Sequence, residues 1–158
     1  MGGINVALGK GEEARRYFED ALAIRKDLVE REPDRSDLRR DLSISYERLA
    51  TVEPERAKEH LERAIELSRD IVASDRTHAQ NVRTLGLQIA QLSDALVAAG
   101  EPSTARAAAR EALALLGELD SRGALEHRYQ RWLDKLSERV GEDPGTEQPS
   151  RRAGLDMS

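Results

Sequence analysis

"GEPSTARAAAREALALL", residues 100–116, holds six alanines and no aromatic side chain. Its apolar positions nevertheless recur at three and four residues, the period of a helix that buries one face. Ala105, Ala109 and Ala112 fall on a single side of that helix. A face so small provides little bulk of its own, so it predicts a neighbour that approaches closely and fills the space with larger side chains.

The rest of the chain supplies that neighbour, because the stretch is the third copy of one element. Displacing residues 11–52 by 43 lays them on 54–95 without a gap. Ala14, Phe18, Ala21, Leu22 and Ile24 land on Ala57, Leu61, Ala64, Ile65 and Leu67; Arg40, Leu42, Tyr46 and Leu49 land on Arg83, Leu85, Ile89 and Leu92. A displacement of 48 then carries Ala57, Leu61 and Ala64 onto Ala105, Ala109 and Ala112, and Arg83, Leu85 and Leu92 onto Arg131, Leu133 and Val140. The five-residue difference sits in one linker, "LATVEP" in the second unit against "LSDALVAAGEP" in the third.

No stretch alternates with period two, so strands are not expected. The spacing predicts helices over 11–32, 36–51, 54–74, 78–99, 102–119 and 124–140. Pro54 and Pro102 suit first-turn positions, Pro33 closes the opening helix and Gly100 suits a helix C-terminal turn. Asp34, Asp75 and Ser121 are the expected N-caps. Trp132, Leu133 and Leu136 are expected on a closing helix over the last pair. Residues 1–140 form the repeat domain, and 141–158, polar and rich in Gly and Pro, read as a disordered tail.

These residues resemble the tetratricopeptide repeat, whose signature runs WxxLGxxY, a glycine turn, then AxxxFxxA. The third unit gives Ile89, Leu92, Ser93, Leu96, Gly100, Ala105, Ala109 and Ala112. The second gives Tyr46, Leu49, Ala50, Ala57, Leu61 and Ala64, and the first supplies Gly9, Ala14, Phe18 and Ala21. The family's usual period is about 34, so the helices here are longer, as in the long-helix arrays of larger bacterial signalling proteins. The resemblance implies an all-α fold, an alpha-alpha superhelix of about three antiparallel helical hairpins with an incomplete first unit. In that unit "GGINVAL" is a short helix of about two turns followed by a turn at Gly9, leaving an open apolar edge around Ile4, Leu8, Phe18 and Leu22. A preceding segment or self-association through a second copy would cover it.

The resemblance further implies a scaffold for protein–protein interaction that receives a peptide or partner helix in a concave groove. The groove stripe would run along Arg40, Ser43 and Glu47, then Arg83, Gly86, Ala90 and Asp94, then Arg131, Asp134 and Glu138. Arg40, Arg83 and Arg131 hold equivalent places, and two readings of them stay open. They could form a ladder that grips carboxylates or phosphorylated side chains of an acidic segment, or each could pair with a carboxylate of its own array. Glu47, Ala90 and Asp94 stand where some family members clamp a chaperone's C-terminal carboxylate, which speaks against that ligand. The alternative role is a regulatory segment of a larger signalling ATPase or protease.

Composition narrows the partners further. Net charge is −5 with acid and base interleaved, so no broad basic field is available for nucleic acid or an anionic membrane. No cysteine is present, which removes disulfides and thiolate metal sites and fits a reducing cytoplasm. His60, His78 and His127 share no short spacing, and no HExxH pattern occurs. "GGINVALGKGE" is one residue too long for a phosphate loop and lacks a Ser or Thr after Lys10. No enzyme activity, cofactor or metal is expected.

Overall fold

The computed structural model describes the backbone of residues 2–141 and the side chains from Gly9 onward. Expectations placed on the 142–158 tail, and on the side chains of Ile4 and Leu8, lie outside the described residues. Six helices follow one another: α1 (Gly2–Arg31), α2 (Ser36–Val52), α3 (Ala57–Ser74), α4 (Ala79–Ala98), α5 (Pro102–Ser121) and α6 (Gln130–Gly141). Single 3-10 turns over Pro54–Arg56 and His127–Tyr129 lead into α3 and α6. No strand occurs among the described residues.

Each helix packs against its predecessor and its successor, and α1 and α6 form no packed pair that would close the row. Side chains then connect every second helix, which divides the array into two rows. Arg40 donates to the Asn81 Oδ1 at 2.7 Å between α2 and α4, and Lys135 donates to the Asp94 Oδ2 at 2.7 Å between α6 and α4. In the other row Lys58 of α3 reaches Glu101 at 3.1 Å beside α5, and Arg69 of α3 pairs with Glu111 of α5. The result is the stack of antiparallel hairpins that the repeat implies.

The alanine face of α5 does what its spacing predicts. Ala105, Ala109 and Ala112 are completely buried, with Ile89 and Leu96 of α4 and Leu116 and Leu119 of α5 equally enclosed. Ser93 of α4 donates to the Ala105 carbonyl at 2.7 Å, a contact that a bulkier residue between the backbones would prevent. Leu61 and Ala109, equivalent by the repeat, are both buried. Leu133 and Leu136 seal α6 against α5, with Trp132 packed at the margin.

Glycine ends two of the helices. Gly100 and Gly123 have φ of +77° and +69°, where an L side chain is strained. Around Gly100 the Glu101 N–H reaches the Leu96 carbonyl at 2.9 Å and the Gly100 N–H reaches Val97 at 3.1 Å. The same pair of bonds recurs at Ala124 to Leu119 and Gly123 to Asp120. This pattern satisfies the last carbonyls of α4 and α5 and reverses the chain.

Three expectations need correction. Helix α1 does not turn at Gly9: it runs unbroken from Gly2 to Arg31, and neither Gly9 nor Gly11 has the positive φ that such a turn requires. A helix tolerates an interior glycine at a cost of about 1 kcal/mol, and α1 continues through both. The N-caps also differ. Arg35 and His78 precede α2 and α4, neither with a side-chain cap bond. Asp75 instead closes the turn after α3 by accepting from the Thr77 N–H at 3.1 Å and hydroxyl at 2.6 Å, while Ser121 is the last residue of α5. The last helix starts later than 124 because the 3-10 turn intervenes.

Candidate functional site

The residues expected to line a groove separate into three groups. Ser43, Gly86 and Ala90 are buried, so they present no surface to a partner. Gly86 lies against α5: a Cβ built on it would come within 2.8 Å of the Leu116 Cδ2. Its missing side chain is room for Leu116.

Arg40, Glu47, Arg83 and Asp94 are half-buried and already engaged. Arg40 is held by Asn81, and Arg83 donates to the Glu126 Oε1 at 3.0 Å while its guanidinium lies 5.5 Å from the Tyr129 ring centre. Asp94 accepts from both Lys135 and Arg139 at 2.7 Å. Of the three repeated arginines, Arg131 is exposed, beside a cavity of about 340 Å³ that it lines with Trp132 and Lys135. Arg40 and Arg83 thus reach forward to the following unit, Arg40 to an amide oxygen and Arg83 to a carboxylate.

Ser43 belongs to a polar ring in the interior. Its hydroxyl donates to the Ala64 carbonyl at 2.9 Å and lies 2.9 Å from the Ser68 hydroxyl. Ser68 donates to the Gln88 Oε1 at 2.6 Å, and the Gln88 Nε2 returns to Ser43 at 2.9 Å and to the Glu47 Oε1 at 3.1 Å. Gln91 completes the chain by donating to the Glu47 Oε2 at 3.1 Å. Three helices, α2, α3 and α4, are joined through these groups. Buried hydroxyls and amides are tolerated when paired in this way.

Beyond the ring, along the seam between α2 and α4, opens a trough of about 520 Å³. Ala50 and Thr51 of α2, Gln91, Asp94, Ala95 and Ala98 of α4 with Ala99 just after it, and Ala57, Lys58 and Leu61 of α3 line it, with Pro54 and Glu55 at one end. Its surface is largely apolar because alanines line so much of it, and its polar groups are Thr51, Glu55, Lys58, Gln91 and Asp94. Asp94 alone was among the expected groove residues. The signal for the remainder was present in "LATVEP" and "LSDALVAAG", where alanines cluster at the ends of α2 and α4.

A second cavity of about 270 Å³ lies between α1 and the start of α3, beside a buried Glu53 and His60. The His60 Nε2 and the Glu53 Oε1 are 3.3 Å apart, and the Glu53 Oε2 and His60 Nδ1 have no partner among the described residues. Burial pushes the Glu53 carboxyl up, but the hydrogen bond and charge of His60, joined by Glu19 and Arg56, outweigh it and hold the carboxyl below its ordinary value. No group of three or more His, Cys, Asp or Glu is placed to hold a metal ion among the described residues. No described helix is long and apolar enough to cross a membrane.

The family model of the tetratricopeptide repeat matches residues 2–34. The chain carries a tetratricopeptide repeat. The match covers α1 and the turn that follows it. Tetratricopeptide repeats generally mediate protein–protein interaction and are typically non-enzymatic scaffolds. No curated protein and no solved structure matches the chain.

Proposed function

We propose that the chain is a non-enzymatic tetratricopeptide adaptor that receives a peptide or helix of a protein partner in the trough between α2 and α4. The trough itself carries this reading: it is open, lined by alanines that leave room for a partner's apolar side chains, and edged by groups able to orient a backbone. The ionic character of the ligand follows from the same edge. With Arg40 and Arg83 committed to neighbouring units, the arginine ladder has no free guanidinium pair to offer, and an acidic segment would meet Asp94 and Glu55. Recognition therefore rests on apolar anchors.

Peptide selection against the immobilised chain, counter-selected on Ala98→Arg, tests this. The expected result is a set of peptides with spaced apolar anchors that shift the methyl resonances of Ala50, Ala95 and Ala98 in the wild type. Selected peptides that leave those methyls unmoved and bind Ala98→Arg equally well would overturn the reading.

A further inference from the structure

The repeat gives each second helix a stripe of five residues at alternating three- and four-residue spacing, and the structure shows what that stripe is for. In α3 it is Ala57, His60, Ala64, Leu67 and Ile71, lying against α2, with His60 and Ile71 each 4% exposed and Ala64 fully buried. In α5 the same places lie against α4 and are closed in the same way, as Ala105, Ala112 and Leu119 show. In α1 the stripe is Ala14, Tyr17, Ala21, Ile24 and Leu28, and its large residues lack such cover: Tyr17 is 69% and Ile24 63% exposed, while Ala14, Ala21 and Leu28 are half-buried. Phe18 and Leu22, where the open edge was expected, are half-buried. The open side is one residue further round the helix.

We propose that this stripe is the contact between two copies of the chain, with α1 laid antiparallel on α1 about a two-fold axis. The spacing is that of a helix pair packing knobs into holes. The stripe is largely complementary to itself: with the axis near residue 19, Tyr17 falls opposite Ala21 of the second copy and Ile24 opposite Ala14, large against small, while Leu28 falls beside the stem of Lys10. Charge agrees with the same register. Lys10 comes beside Asp27 of the second copy, and Arg16 beside Asp20, and symmetry repeats both pairs.

A head-to-tail contact with α6 is disfavoured by α6 itself. Where α2 presents Ser43 and Tyr46, the equivalent positions of α6 hold Asp134 and Ser137, both exposed. That side of α6 is thus polar, as on a capping repeat, and the stripe of α1 is not.

Sedimentation of the whole chain over a wide concentration range tests the pairing. The wild type should pass from monomer to dimer, and Tyr17→Glu and Ile24→Glu should each weaken the dimer at least about tenfold, since a buried unpaired carboxylate is costly. Both residues are exposed in the single chain, so circular dichroism should show the helices retained. The chain has no native cysteine, which allows the register to be read directly. A mixture of Tyr17→Cys and Ala21→Cys should cross-link readily under oxidation, whereas Ile24→Cys should not cross-link with itself, its two copies being about 15 Å apart along the axis. A strict monomer, a dimer indifferent to both glutamates, or preferential 24-to-24 cross-linking would each overturn the proposal, and a monomer whose stripe is filled by an added helical peptide would assign it to another occupant.

Discussion

Leu116 occupies the space that a side chain on Gly86 would need: a Cβ there would stand 2.8 Å from its Cδ2 and 2.9 Å from its Cγ. The leucine is fully buried, so it has no free direction in which to retreat. Mid-helix glycine ordinarily costs about 1 kcal/mol relative to alanine, and Gly86→Ala would normally stabilise. Here overpacking, at about 1–3 kcal/mol, outweighs that gain. Urea unfolding should show Gly86→Ala less stable than the wild type, with an unchanged m-value.

The alanines of α5 give the same test at a second place. Ala109→Leu puts a branched side chain into a completely closed seam and should cost about 1–3 kcal/mol. Ala107→Leu, on an exposed position of the same helix, should leave the unfolding midpoint almost unmoved. Equal effects at the two sites would refute the close α4 to α5 contact.

Gly100→Ala should cost about 1 kcal/mol, because φ of +77° places alanine in the left-handed region. Gly117→Ala, within α5 and with nothing within 4 Å of its built Cβ, should stabilise slightly. The contrast between two glycines only seventeen places apart in the sequence is read from thermal midpoints.

Acid should weaken the fold through Glu53. Its carboxyl is pushed up by burial but held net below its ordinary value, first by His60, so the unfolded chain takes up the proton more readily than the folded one. The resulting stability is complete above the unfolded carboxyl value of about 4.3 and is lost as pH falls through the lower folded value. Glu53→Gln should flatten this part of the acid limb. A stability profile whose slope below about pH 4.3 is identical in the variant would exclude Glu53 as a contributor.

Much of this architecture is legible in the residues, for identifiable reasons. Helices follow from the three- and four-residue recurrence, and the alanines of α5 announce a close neighbour because small side chains at helical spacing have few other uses. The same logic applied to Ser43, Gly86 and Ala90 would have placed them inside. Grouping them on one face with Arg40, Glu47 and Asp94 followed the family pattern instead, and a helix sandwiched between two neighbours has more than one buried side. The continuous α1 escaped because Gly9 and Gly11 resemble a turn, and no local signal distinguishes a glycine that bends from one that a helix tolerates. The trough was hidden because it is made of what the side chains lack.

The ring of Ser43, Ser68 and Gln88 has a mechanical consequence for that trough. Sliding α4 along α2 by even one residue would strand the Gln88 amide in a dry interior and take its acceptor from Ser68. The two walls are therefore pinned at a fixed separation, and a ligand arriving between them finds a gauge already set. Adjustment of shape on binding falls to the incoming segment, and only segments of the right girth will seat.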